Sequence, residues 1–399
     1  MNYNIKDGIL LEYTGNEEEV TIPEQVHTIA SYAFENCEQL KKINLNRTKR
    51  IDEGAFCDCI SLESIEFESV ESISKYAFYN CFSLKEVELK SVISFIDEQA
   101  FAYCVGLKKV EIHMSNLSKH LFYHCKNLEE IQLGKEVESI DLTSFLGCTN
   151  IQTIQIDPEN EIYDDRGNAI VESKENRLFL GCKNTTIEAS IHSIGYHSFQ
   201  NIKKVKMLEG VQIIEPEAFY QCSQLEEIEL AQSISYIGAA AFYQCESLKR
   251  IVIPRSIQSL ESHTFHGCVT LEELVLEGNT KISPFLFDSF GNDFCILPKN
   301  LKIYMKEEAK ELPSKFIPFL INGYLEEERY FIKDHRQVVE KYIHTHIQEI
   351  KEDILLNCKN PALKEMLVDS FMEYYRTSRQ FDRLAKLLNS NHDEFDLNL

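Results

Sequence analysis

Ala33-Phe34-x-x-Cys37-x-x-Leu40-x-x-Ile43-x-Leu45 is one copy of a pattern that returns, with small defects, along most of the chain. Its anchoring phenylalanines are Phe34, Phe56, Phe78, Phe101, Phe122 and Phe145, then, after a gap, Phe199, Phe219, Phe242 and Phe265, with a degenerate copy near Phe287. Most neighbouring anchors are 21 to 23 residues apart. A unit of that length cannot bury its own apolar face and must stack on the next one. The chain is therefore expected to be a solenoid, a class of fold that binds and seldom catalyses.

The residues of the unit say how each coil is built. Leu40, Ile43 and Leu45 follow an L-x-x-L-x-L rule, repeated as Leu62/Ile65/Phe67, Leu84/Val87/Leu89, Leu107/Val110/Ile112, Leu128/Ile131/Leu133 and Leu225/Ile228/Leu230. The last two apolar positions alternate with polar ones, as in a short strand with one face buried. A second apolar pair, such as Val70-x-x-Ile73 or Val211-x-x-Ile214, marks another side of the coil before Ala-Phe turns the chain back. A small Ala beside Phe suits a tight bend in which one aromatic fills the space between coils. These features predict a leucine-rich-repeat array of stacked parallel β-strands.

The string Ile22-Pro23, Val26, Ile29, Ala33-Phe34, Cys37, Leu40 resembles the BspA-type leucine-rich-repeat family over roughly residues 1–305. Asp7-Gly8-Ile9-Leu10-x-x-Tyr13-x-Gly15 resembles that family's opening hairpin. Asn160-x-x-Tyr163-x-x-x-Gly167-Asn168-Ala169-Ile170-Val171 resembles its mid-array hairpin insert, which accounts for the gap after Phe145. After Phe199 the Cys is missing and Ile202 and Val205 arrive three residues early, so that coil is expected to be short. The resemblance implies a scaffold for adhesion or interaction and leaves the partner open. The expected organisation is a first array with its hairpin over 1–156, a hairpin insert over 157–195, a second array over 196–305 and a helical domain or cap over 306–399.

A formal charge of −23 disfavours nucleic acid and anionic membrane as partners. No stretch is long and apolar enough for a membrane-spanning helix, so no membrane insertion is expected. The opening Met1-Asn-Tyr-Asn-Ile-Lys-Asp-Gly runs straight into the first hairpin without the features of a leader, which reads as cytoplasmic. The alternative is a secreted or cell-surface protein.

Of thirteen cysteines, Cys37, Cys59, Cys81, Cys104, Cys125, Cys148, Cys222, Cys245 and Cys268 share one slot, three residues after the Phe. They are expected to form a buried column of structural thiols, suited to a reducing compartment, in which a serine hydroxyl would be poorly satisfied. Cys57, outside the slot, is the candidate reactive thiol. His120, His124 and Cys125, and His263, His266 and Cys268, have short spacings, but the histidines fall at variable positions and read as surface residues. Asp157-Pro-Glu-Asn-Glu and Asp164-Asp165-x-Gly167-Asn168 lack the acidic twelfth ligand of a calcium loop and read as hairpin turns. No nucleotide, hydrolase or metalloprotease motif occurs. The expectation is no enzyme, no metal and no cofactor.

After about residue 305 the period becomes helical: Val338, Val339, Tyr342, Ile343, Ile347, Ile350, Ile354 and Leu355, then Leu363, Met366, Leu367, Phe371, Met372 and Tyr375 following Asn360-Pro361. With segments at Phe316–Tyr324 and Leu384–Leu388, four or five helices are expected, serving as an end cap or a separate interaction module, so the expected fold class is an α+β repeat solenoid with a C-terminal α-helical domain.

Aligning the coils yields two surface ladders. The first reads Lys42, Ser64, Glu86, Lys109, Glu130, Thr153, then Lys204, Glu227, Arg250, Glu273, and mostly alternates in sign. The second reads Asn44, Glu66, Glu88, Glu111, Gln132, Gln155, then Lys206, Glu229, Val252, Val275. Three successive glutamates repel one another. Glu66, Glu88 and Glu111 on the concave face are therefore the candidate site for a basic protein partner or a cation, with Val252 and Val275 a second, apolar patch. The functional expectation is a non-enzymatic protein-interaction scaffold, with homo-oligomerisation open and a surface adhesin as the alternative.

Overall fold

In a computed structural model, the protein is described at residues 2–90, 93–278, 280–283, 286–287, 302–305, 343–344, 347 and 361–378. The repeat forms a solenoid whose coils pair through parallel strands. The longer strands form three sheets, with Glu86–Leu89, Lys109–Ile112, Glu130–Leu133 and Thr153–Ile156 at the centre of the first array. In Glu86–Leu89 the glutamates point outward while Val87 and Leu89 are buried, so alternation on one strand becomes a polar face and a core. Two-residue strands such as Arg50–Ile51, Ser72–Ile73 and Phe95–Ile96 make the second side of the coil.

Between these sides the chain bends, in most coils, at two left-handed residues, two before and two after the Phe. Gly54 and Asp58 flank Phe56, Tyr76 and Asn80 flank Phe78, Gln99 and Tyr103 flank Phe101, and His120 and His124 flank Phe122, all with φ between 55° and 60°. The bend is also hydrogen-bonded from coil to coil. Phe56 N donates to Ala77 O at 2.8 Å and Phe78 N to Ala100 O at 2.8 Å. Backbone groups on this side are thus satisfied without a regular strand.

The phenylalanine rings stack through the array. Centroids of Phe34, Phe56, Phe78 and Phe101 follow at 4.9, 5.2 and 5.0 Å, and Phe101 to Phe122 is 5.7 Å. Tyr13 of the opening hairpin occupies the first place in this column, 4.7 Å from Phe34, and so closes it at the N-terminal end.

The insert is an antiparallel hairpin, Tyr163–Asp164, Ala169–Glu172 and Arg177–Gly181, whose last strand then pairs in parallel with Ser193–Ile194 of the second array. It forms a wall between two cores. Ile170, Phe179, Leu180 and Cys182 belong to the first, and Ala169, Val171 and Leu178 to the second. A Cβ on Gly181 would lie 2.1 Å from the Phe199 ring, so glycine there lets the second phenylalanine column start against the hairpin. Arg177 fixes the junction, donating Nε and Nη2 to Glu215 at 2.6 and 2.7 Å.

The helix Pro361–Thr377 begins at the proline, where a missing N–H costs nothing. Its Met366, Leu367, Phe371 and Tyr375 are buried in the same continuous core as Phe265 and Phe287, as are Ile343 and Ile347. Helices expected at Phe316–Tyr324 and Leu384–Leu388, and most of that over Val338–Leu355, lie outside the described residues. No helix among the described residues is long and apolar enough to cross a membrane.

Candidate functional site

The cysteine slot has a specific job. Each thiol donates to the carbonyl of the phenylalanine one coil earlier: Cys59 to Phe34, Cys81 to Phe56, Cys104 to Phe78, Cys125 to Phe101 and Cys148 to Phe122, at 3.1 to 3.3 Å. Cys222, Cys245 and Cys268 do the same for Phe199, Phe219 and Phe242. At the junction the cysteine is absent, and Gln200 Nε2 donates to Phe145 O at 3.1 Å in its place. A hydroxyl in this slot therefore has an acceptor waiting, contrary to the expectation from sequence. Cys37 departs from the buried column: it is half-buried, because its neighbour on the N-terminal side is the hairpin and not a repeat coil. Burial still pushes its thiol up to about 11. Cys57 is half-buried too, and burial together with the Asp58 carboxylate beside it pushes its thiol up to about 12, so it is a poor nucleophile.

The two histidine pairs do not assemble with their cysteines, whose thiols point to core carbonyls. His120 and His124 sit at the left-handed bends and pack on tyrosines, His124 lying 5.3 Å from Tyr103 at 13°. His266 is buried, with Nδ1 3.0 Å from Phe287 O. In the insert, Asp164 is tied to Arg166 and Ser173 and Asn168 Oδ1 accepts from Ile154 N, so these polar side chains build the hairpin.

On the polar face of the strands, Lys109 lies in register between Glu86 and Glu130, and ion pairs join Lys204 to Glu227 at 2.8 Å and Arg250 to Glu273 at 2.9 Å. Such exposed pairs are screened by water and salt and add little to stability.

The glutamate ladder is less isolated than the sequence suggests. Glu88 and Glu111 are direct partners on adjacent strands. Glu66 follows the strand Ser64–Ile65 in a different sheet and is not strand-paired with them. The repulsion between the two partners is relieved locally: Lys90 Nζ lies 3.9 Å from Glu88, Lys109 Nζ 3.6 Å from Glu111, and His113 Nε2 3.0 Å from Glu111. The His113 hydrogen bond, with Lys109 adding to it, holds the Glu111 carboxyl below its usual range. The sequence reading passed over His113 because it lies just beyond the strand, two residues past the ladder position. Comparing that column across coils, Lys90, His113 and Gly134, would have brought it out.

The structure does not leave the apolar patch expected at Val252 and Val275 open. Val275 lies between Val252 and Tyr304 in the sheet and is only 4 % exposed, while Val252 is half-buried. Val275 is covered near the end of the array and offers no open docking surface.

Repeat motifs of the BspA type leucine rich repeat region match the chain in six copies, over residues 9–119, 49–166 and 172–292. The chain belongs to the BspA-type leucine-rich-repeat family. This is a β-solenoid family whose members generally serve as protein-interaction scaffolds, a fold typical of non-enzymatic proteins. The chain is similar to a leucine rich cell surface protein from Faecalibacterium prausnitzii at 25% identity, covering 75% of this chain and 91% of that one with a TM-score of 0.57. It is also similar to the pneumococcal vaccine antigen PcpA at 19% identity, covering 73% and 74% of the two chains with a TM-score of 0.48. A leucine-rich repeat protein from Bacteroides ovatus matches at 24% identity over 72% and 84%, with a TM-score of 0.48. No curated protein matches the chain.

Proposed function

We propose that this BspA-type protein is a non-enzymatic scaffold whose polar strand face, around Glu66, Glu88 and Glu111, receives a basic segment of a protein partner. The observation that carries the reading is the register pairing of Glu88 with Glu111. At the same ladder position in the second array opposite charges meet, Lys206 with Glu229 at 3.1 Å. Here two carboxylates meet and draw cations in from the sides. Cationic side chains of a partner would serve the same purpose, and a protein of charge −23 would steer them in.

Carboxylate-to-amide variants at these three positions should slow association with the partner, and the difference should shrink as salt rises. Unchanged association rates at low salt would remove the site from consideration. A cytoplasmic location, single copies or homo-oligomers, and a partner other than nucleic acid or membrane complete the proposal.

A second reading, a surface adhesin, is favoured by the likeness to the Faecalibacterium cell surface protein. Fractionation of the native cell separates the two, since an adhesin must be recovered outside the cytoplasm.

A further inference from the structure

We propose that Glu88, Glu111 and His113 bind one divalent transition-metal cation of the zinc class on the polar face of the first array. The inference stands apart from the protein-partner reading and survives if that reading fails.

One ligand atom from each of the three residues lies within 4.8 Å of the others. In a tetrahedral zinc site, metal–ligand bonds of about 2.0–2.2 Å to nitrogen and carboxylate oxygen place the donors roughly 3.3–3.6 Å apart. Side-chain rotation, for which exposed Glu88 has the most room, must bring the donors together by about an ångström. One imidazole with two carboxylates suits zinc and its neighbours better than magnesium, which prefers oxygen ligands alone. The backbone already sets the arrangement. Glu88 and Glu111 are register partners, and His113 is two residues beyond Glu111, so all three project from the same side.

The surroundings of His113 supply a separate observation. Its Nε2 faces Glu111 at 3.0 Å, whereas its Nδ1 faces Glu136 Oε2 at 3.7 Å. That Glu136 oxygen is buried and has no hydrogen-bond partner. A metal-bound imidazole commonly presents its second ring nitrogen to a carboxylate, which orients the ring and raises its basicity. Glu136 is placed for that task. Gly134 makes the space: a Cβ there would lie 2.5 Å from His113 Nδ1 and 2.6 Å from Glu136 Oε2. Lys90 and Lys109, near the same carboxylates, are half-buried; their ammonium groups lie 3.9 and 3.6 Å from the carboxylate oxygens and must give way when the cation enters.

The experiment is calorimetric titration of Zn2+ into chelator-treated full-length protein and into His113→Asn, with excess Mg2+ present in both. The wild type should bind one more equivalent than the variant. Glu136→Gln should retain that equivalent with roughly 10- to 100-fold weaker affinity, the usual effect of losing the carboxylate behind a ligating imidazole. Histidines elsewhere, including His335, His344 and His346, contribute equally to both curves and cancel in the difference. Should His113→Asn be poorly folded, Glu88→Gln, on an exposed side chain, serves the same comparison. Equal stoichiometry and affinity in wild type and variants would overturn the proposal, as would displacement of the Zn2+ by millimolar Mg2+.

Discussion

The thiol of Cys104 donates to the carbonyl of Phe78, one coil earlier, at 3.1 Å. The relationship recurs at every buried slot cysteine, and Gln200 replaces it where the slot is empty. The slot is thus filled by a small, largely apolar side chain that also carries a donor. Cys104→Ser keeps the donor and should cost about 1 kcal/mol or less. Cys104→Ala loses it and leaves a small void, and should cost more by about 1 kcal/mol, the net value of one hydrogen bond. Urea denaturation of the two variants decides the point. If Ser is the worse of the two, the thiols act by packing alone.

Phe101 is stacked between Phe78 and Phe122 and fully buried. Phe101→Ala should lose about 3–5 kcal/mol, the usual range for an emptied aromatic site. Hydrogen exchange should quicken in the adjacent coils as well, because a repeat is stabilised through its neighbours. A variant that unfolds at the wild-type urea concentration would show that the rings do not hold the coils together.

Gln99 has φ 58° at the bend position that Gly54 occupies two coils earlier. Left-handed geometry costs a non-glycine residue about 1–2 kcal/mol, partly offset by the greater freedom of glycine in the unfolded chain. Gln99→Gly is expected to raise stability by about 0.5–1 kcal/mol, and Gln99→Val to lower it, both read from denaturation midpoints. A destabilising glycine would mean that the Gln side chain stabilises the bend more than its backbone strains it.

Burial holds His120, His124 and His197 below the ordinary histidine value of 6.5. The unfolded chain therefore takes up protons first as pH falls. Stability from these groups is fully present above about pH 7 and is lost as pH drops below 6.5 toward their folded values. Thermal melting from pH 7.5 to 5 should show this decline. His124→Asn, which puts at one bend the residue that Asn36 and Asn80 supply at the same place, should flatten it. An unchanged slope would assign the decline to other groups.

The array itself was legible in the sequence, because period, strand alternation and the Phe and Cys slots all pointed to one coil. What escaped notice depended on contacts between coils. Tyr13 heads the aromatic column from within a hairpin, and Gln200 stands in for a cysteine 55 residues away from its acceptor in sequence. Neither repeats, so periodicity could not flag them. The candidate site was legible only in half. The strand pattern placed Glu88 and Glu111 side by side, but Lys90, Lys109 and His113 beside them lie outside the glutamate ladder, and the burial of Val275 does not follow from its ladder position.

The most direct test of the scaffold reading is affinity capture from the native cell with the full chain and with the Glu66→Gln/Glu88→Gln/Glu111→Gln variant, both in chelator so that metal plays no part. A basic protein should be captured by the wild type at low salt and lost from the variant, with the association rate accounting for most of the difference. If the same protein binds both chains equally fast, the polar strand face is not where this solenoid meets its partner.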